Sequence, residues 1–331
     1  MARPSVEDLY AGIRAGNRAM LARAITLVES ERASDFEDAQ RLLNMLLPDT
    51  GNAIRIGISG IPGAGKSTFI DAFGMMLTEQ GKRVAVLAID PSSTVSRGSI
   101  LGDKTRMARL SREETAFIRP SPSSGTLGGV HRKTRETMLL CEAFGFDTVI
   151  IETVGVGQSE TVVAEMVDVY LVLMIAGTGD ELQGIKRGIL EVADILAINK
   201  ADGDNVKRAQ LARRELQTAL HLMRGSRKGW QPPVLACSAL EGTGLDAIWE
   251  QILKHRALMI ETGEFETKRS EQAIHWMWNM IEDGLLSSLR QNDDIAAKTS
   301  ELEARVNRGE LTPSSAATAV LEAYFQAMRA R

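Results

Sequence analysis

The residues with the clearest chemical content are Gly60, Ile61, Pro62, Gly63, Ala64, Gly65, Lys66 and Ser67, an unbroken Gly-x-x-x-x-Gly-Lys-Ser run followed by Thr68. Such a run holds phosphate when a strand feeds it and a helix leaves it. Both are expected here, because the apolar stretch Ile54–Ser59 precedes it and an amphipathic stretch begins at Lys66. Glycines let backbone N–H groups converge on phosphate oxygens with no Cβ in the way. A helix starting at Lys66 aims its positive end at the same anion. Lys66 is then expected to bridge β- and γ-phosphate oxygens, and the Ser67 hydroxyl to ligate Mg²⁺.

A second run, Asn199-Lys200-Ala201-Asp202, ends another apolar stretch. A carboxylate at Asp202 can accept hydrogen bonds from the N1–H and N2–H₂ of guanine. Adenine offers a lone pair at N1 and no amine at C2, so the same carboxylate is left unsatisfied, at a cost on the order of 1–3 kcal/mol. Lys200 would lie across the base plane, and Asn199 would tie this loop to the phosphate loop. The next strand ends in Ser238-Ala239-Leu240, where backbone N–H groups can meet guanine O6. Alone, the Asn-Lys-x-Asp pattern is weak, since an aspartate capping a helix near Asn205 looks the same. Downstream of a phosphate loop it selects GTP over ATP.

Three carboxylates are candidates for the metal and the attacking water: Asp90, Asp103 and Glu152. Carboxylates beside a triphosphate hold Mg²⁺ directly or through its waters, or orient the nucleophile. Asp103 has an alternative as a helix cap. Glu152 closes a fully apolar strand, where a charge is costly without a partner. Gly155 suits close backbone approach to a γ-phosphate. Val156 follows it, where many signalling GTPases carry a water-positioning Gln, and nothing in the sequence places Gln158 there. Slow hydrolysis completed by a partner is the consequence. The long loops Pro91–Gly102, Pro120–Gly129 and Gly177–Lys186 are expected to respond to the γ-phosphate.

These residues need a scaffold that gathers strand ends. Short β-branched runs at 54–59, 83–89, 116–118, 148–152, 169–175, 195–199 and 234–237 alternate with amphipathic stretches starting near Lys66, Gly102, Leu127, Asn205 and Gly244. Continuous apolar strands alternating with helices give an α/β fold: a mostly parallel central sheet with helices on both faces, of the P-loop NTPase kind. Ligands bind at the carboxyl ends of such strands. Residues 1–50 read as a helical N-terminal extension, 51–262 as the nucleotide domain and 263–331 as a helical C-terminal extension. Ser5-Val6-Glu7-Asp8 and Ser34-Asp35-Phe36-Glu37 both fit the capping box. Glu264 to Ser270 reads as a charged linker. Ile274, Met277, Trp278 and Ile281 form an apolar stripe.

Bulk properties remove several classes. Among 331 residues, 39 are basic and 43 acidic, giving a net charge of −4. That leaves no basic field for nucleic acid or an anionic membrane. The stretch Val169–Ala176 is too short to span a bilayer. Met1 to Tyr10 has no apolar leader core. Cys141 and Cys237 match no metal spacing and suit a reducing, cytoplasmic setting.

The stretch Glu152-Thr153-Val154-Gly155 resembles the glutamate-type third motif of the metallochaperone GTPases, dimeric P-loop proteins that help mature metalloenzymes. Within them the chain resembles the MeaB/ArgK branch, chaperones of adenosylcobalamin-dependent methylmalonyl-CoA mutase. The similar segments are Gly60–Thr68, Asp90-Pro91-Ser92-Ser93, Gly98–Met107, Arg119–Val130, Glu152–Glu160, Gly179–Gly188 and Asn199–Asp202. Thr94-Val95-Ser96-Arg97 departs from the Gly-rich run the branch carries there, a difference confined to the first switch. The resemblance implies a magnesium and water shell of Ser67, Asp90, Asp103 and Glu152. It implies that Lys186 and its loop form a third switch that senses the mutase and supports hydrolysis. It also implies a homodimer made by the C-terminal helices.

Rival readings are a nickel-inserting relative, a P-loop kinase and a static scaffold. The four histidines are scattered, with no His-rich tract. A kinase could recruit Arg97, Arg106 and Arg119, but the guanine reader argues against it. No Asp-x-His-x-x-Gly pattern occurs, so no cobalamin site is expected on this chain.

Overall fold

Seven apolar runs become seven parallel strands. They are β1 Ile54–Gly60, β2 Val84–Ile89, β3 Ala116–Ser121, β4 Thr148–Thr153, β5 Val169–Ile175, β6 Ile195–Asn199 and β7 Val234–Ala236. The computed structural model describes residues 3–30, 32–89, 107–121, 127–153, 159–176, 187–223 and 229–329. The sheet order is β3-β2-β4-β1-β5-β6-β7, with every neighbouring pair parallel. The strand carrying the phosphate loop is therefore central. Successive residues of each strand feed two separate cores, one per face. Ile54, Ile56 and Ile58 of β1 join one core, and Ala85, Leu87 and Ile89 of β2 join the other. This explains why the strands read as continuous apolar runs.

On the first face lie α4 (Lys66–Glu79) and α9 (Leu245–Glu261). Phe69 stacks on Phe73, which meets the edge of Trp249. On the other face lie α1 (Val6–Arg14), α2 (Arg18–Glu29), α3 (Ala33–Leu46), α5 (Leu127–Ala143), α6 (Ser159–Ala164), α7 (Arg187–Val192) and α8 (Val206–Met223). Buried Leu9, Ile13, Leu21, Ile25 and Leu42 place the N-terminal helices in the same core as β4 and α5. Pro120 and Ser121 complete β3 and α5 begins at Leu127, so the loop expected over 120–129 is shorter.

Two local expectations are corrected. Ser5 makes its capping box, with Asp8 N donating to Ser5 Oγ and Ser5 N donating to Asp8. Ser34 does not cap: α3 starts at Ala33, and Arg32 holds the cap position without a side-chain bond. Ser30 instead braces the turn before the helix, accepting from Arg32 N at 3.3 Å and donating to Asp35 at 2.6 Å. Glu264–Ser270 is no linker but the first turns of α10, Glu264–Arg290. Its two basic residues, Lys268 and Arg269, are consumed by docking. Arg269 grips both carboxylate oxygens of Asp168 at 2.7–2.8 Å and the carbonyls of Gly51 and Ala53. Lys268 donates to Asp168 O at 2.8 Å.

The chain divides into two compact units, Met1–Gln272 and Ala273–Arg331. The second contains the rest of α10 with α11 (Asp293–Asn307) and α12 (Pro313–Arg329). Asn292 caps α11, and Pro313 occupies the first position of α12, where its missing N–H costs nothing. Ile295, Leu302, Ala316 and Tyr324 are buried, and Tyr324 donates to Ser288 Oγ at 2.9 Å. Ile274, Met277, Trp278 and Ile281 stay exposed on α10, as do Leu321, Phe325 and Met328 on α12.

Candidate functional site

The loop after β1 closes on α4. Gly65 precedes the helix with φ +82°, and a Cβ there would lie 3.0 Å from Asn199 Nδ2. Only glycine meets both conditions. No side chain caps this helix start, so its first amides are open to an anion. Lys66 Nζ folds over the loop, donating to Gly60 O at 2.9 Å and Ile61 O at 3.4 Å.

Beside it, Ser67 Oγ donates to Glu152 Oε1 at 3.3 Å. Register brings them together: Glu152 lies opposite Ile58 on β1 and Ala88 on β2, at the carboxyl end of the sheet. Glu152 is 9% exposed. Its neighbour Thr153 donates to Ser59 Oγ at 3.0 Å, pinning β4 to β1 just below the loop. A hydroxyl and a carboxylate at this spacing suit a hard cation that keeps most of its waters. Among the described residues no three His, Cys, Asp or Glu side chains form a metal cage. Asp90, Asp103, Gly155 and Lys186 lie outside the described residues.

The second loop is stitched to the first by one side chain. Asn199, 1% exposed, donates from Nδ2 to Ala64 O at 2.8 Å and accepts at Oδ1 from Ala239 N at 3.1 Å. Lys200 is the one non-glycine with positive φ (59°) among the described residues. That conformation costs about 1–2 kcal/mol, and it turns the chain sharply at the strand end. Asp202 does not cap the short 3-10 turn Gly203–Asn205 that follows it. Its Oδ2 accepts from Ser238 Oγ, and Ser238 Oγ in turn accepts from Glu241 N at 3.1 Å. Ala201 N donates to Cys237 O at 2.9 Å. Ser238 thus lies against Asp202 and Ala239 against Asn199, and Leu240, the next residue, is 80% exposed. Both cysteines are buried, and burial pushes the Cys237 thiol up to about 12, so it acts as a packed neutral group.

One residue near this site is missed by sequence reasoning. Asp71 sits inside α4 and binds the segment at Arg109 and Leu110. The available signal was a lone carboxylate in the otherwise apolar run Phe69–Met76.

A seven-stranded parallel sheet that presents a phosphate loop and a joined Asn-Lys-x-Asp loop at its strand ends defines a P-loop GTPase. The chain belongs to the methylmalonyl Co-A mutase-associated GTPase MeaB family, whose profile matches residues 21–294. It is 56% identical over 318 residues to a probable GTPase of Mycobacterium tuberculosis, covering 96% of this chain and 95% of that one. It is 48% identical to the mitochondrial methylmalonic aciduria type A homolog of Mus musculus, covering 96% of this chain and 79% of that one. A crystal structure described as an LAO/AO transport system kinase superposes with a TM-score of 0.77 at 41% identity, covering 98% of this chain and 99% of that one. Among the described residues no helix is long and apolar enough to cross a membrane.

Proposed function

We propose that this GTPase gates the loading of adenosylcobalamin onto methylmalonyl-CoA mutase and protects the loaded enzyme. The reading rests on one observation above others: Asn199 bonds the phosphate loop to the base-reading loop in a chain of the MeaB family. A rigid link between those loops lets phosphate contacts and base contacts report on one another. Gly60 through Thr68 hold the phosphates, with Lys66 moving from the loop carbonyls to the β- and γ-oxygens. Asp202 accepts from guanine, Lys200 covers its plane, and the amides of Ser238–Leu240 face O6.

Ser67 and Glu152, with Asp90 and Asp103, hold Mg²⁺. When bound, the ion neutralises charge developing on the phosphate oxygens. Glu152, already fixed by Ser67, orients water in that shell. Lys186 completes hydrolysis when the mutase is engaged. The exposed apolar residues of α10 and α12 support a homodimer, since patches of this kind mark association surfaces. The chain needs no cobalamin site of its own. It works in the cytoplasm, without nucleic acid or membrane.

The test adds purified mutase to the full chain. Faster GTP turnover and a complex on a sizing column are the expected results. An unchanged rate with no complex would refute the partner.

A further inference from the structure

Helix α8, Val206–Met223, buries one stripe and leaves the opposite one bare. Ala209, Ala212, Leu216 and Leu220 are buried, on the side that packs on β6 and β7. With about 100° between successive residues, the direction away from that stripe is held by Lys207, Leu211, Arg214 and Thr218. All four are exposed. Leu211 is 58% exposed, and Val206 in the first turn 42%.

The helix carries four cations, Lys207, Arg208, Arg213 and Arg214, against one carboxylate, Glu215, in a chain of net charge −4. Cations on other helices have partners one turn away: Lys254 pairs with Glu250, and Arg132 with Glu136. On α8 the spacing forbids this. No acidic residue stands three or four places from Arg213 or Arg214, and the positions three or four from Glu215 are Leu211, Ala212, Thr218 and Ala219. Among the described residues no carboxylate comes within ion-pair distance of any of the four cations. Cations alone would make an ordinary solvated face. A leucine at the centre of them makes a different surface: an apolar anchor that can be buried, inside a rim of charge that steers and orients.

This helix is also bonded to both strands whose ends read the base. Asn205 Nδ2, one residue before α8, donates to Lys200 O at 2.7 Å. Gln217 Oε1 accepts from Val234 N, the first residue of β7, at 3.1 Å. A protein seated on α8 therefore rests against the element that braces the base-reading loops.

We propose that the outer face of α8, centred on Leu211 and rimmed by Lys207, Arg208 and Arg214, docks an acidic surface of the mutase that offers a shallow apolar pocket between carboxylates. Charge complementarity selects the acidic surface, and Leu211 selects the pocket. A second copy of this chain fits less well, because the exposed apolar residues that support a homodimer lie on α10 and α12. The inference rests on the reading that the mutase is the partner.

The experiment titrates purified mutase into the full chain loaded with a non-hydrolysable GTP analogue, by calorimetry at about 50 and about 300 mM salt. The parent should bind more weakly at the higher salt. Lys207→Glu with Arg214→Glu should weaken binding at low salt at least about tenfold and flatten the salt dependence. Leu211→Ala should weaken it about fivefold or more and keep the salt dependence, since it removes the anchor and not the charge. Basal GTP turnover and GDP affinity without mutase should stay within about twofold for every variant, which also shows that each one is folded. Lys254→Glu with Lys298→Glu makes the same charge change on α9 and α11 and should leave mutase binding within about twofold.

If the parent itself does not bind mutase, the partner reading fails and takes the proposal with it. If the parent binds and the α8 variants bind equally well, the proposal alone is overturned. Equal weakening by the α9 and α11 pair would mean that net charge matters and the face does not, and would also overturn it. Sedimentation with phosphatidylserine vesicles covers the other ligand a basic helix can take. Vesicle binding that the α8 variants abolish, with mutase binding untouched, would assign the face to a membrane and overturn the proposal.

Discussion

Replacing Asn199 by alanine should damage the protein more than any surface change, and the structure sets the scale. The side chain is 1% exposed and satisfies two buried backbone groups, Ala64 O at 2.8 Å and Ala239 N at 3.1 Å. Cys237 Sγ adds a weak third bond at 3.7 Å. Ala64 is 0% exposed and Ala239 6%, so solvent does not readily replace the lost partners. Each orphaned group costs about 1–3 kcal/mol, giving about 2–6 kcal/mol for the pair. Asn199→Asp keeps the shape and the acceptor for Ala239 N. It points a second acceptor at Ala64 O, so it should lose a comparable amount.

Urea titration of the nucleotide-free chain measures this as a lower midpoint at unchanged slope. GDP affinity should fall by about tenfold or more as well, about 1.4 kcal/mol, because the two loops are no longer held in register. If both variants unfold within about 0.5 kcal/mol of the parent, the stitch carries no energy and the argument from buried partners fails.

The base reader, the base of the sheet and a buried histidine can each be tested separately. Asp202→Asn should shift preference from GTP toward xanthosine triphosphate, since an amide can donate to the xanthine 2-oxygen; competition binding with unchanged preference would remove Asp202 from the base site. Arg269→Ala breaks a buried pair with Asp168, 14% and 4% exposed at their side chains, and should cost about 3–5 kcal/mol by chemical denaturation. Arg269→Lys should recover only part of that, because a point charge cannot also serve the Gly51 and Ala53 carbonyls; full recovery would show that geometry is unimportant there. His255 is held below its ordinary value of 6.5 by burial, against the pull of Asp194 and with a push from Lys268. Below that value the unfolded chain binds the extra proton first, so this contribution to stability is whole above about pH 6.5 and is lost as pH falls toward the folded value. Melting curves taken between about pH 8 and pH 5 should show His255→Phe losing less on acidification than the parent, and equal slopes would contradict the sign.

Much of the scaffold was legible in the residues because it depends on local rules. Continuous apolar runs spaced by helices dictate a parallel sheet covered on both sides, and all seven strands fall where those runs lie. The phosphate loop was legible for the same reason, since its chemistry is local: glycines, a lysine and a hydroxyl within one turn of backbone. Local reasoning failed where a charge found its partner far along the chain. Glu264–Ser270 reads as a linker until Arg269 meets Asp168, 101 positions away. Ser34 reads as a cap, but α3 starts one residue before it at Ala33, and the Asp35 carboxylate is taken up by Ser30 and Arg3.

The sequence by itself determined the kind of site: a triphosphate cradle, a guanine reader and a glutamate closing the strand between β1 and β2. Only the tertiary structure decided how these parts act on one another. Ser67 and Glu152 are 85 positions apart and meet at 3.3 Å because β1 and β4 pair in register. Asn199 reaches the phosphate loop across 135 positions because β5 alone separates its strand from β1. Asp71 carries no motif, and its place beside Arg109 and Leu110 follows from packing at Gly74. Motifs record what each short segment can bind. Strand order and register, which depend on side chains distributed over the whole sheet, decide which segments become neighbours.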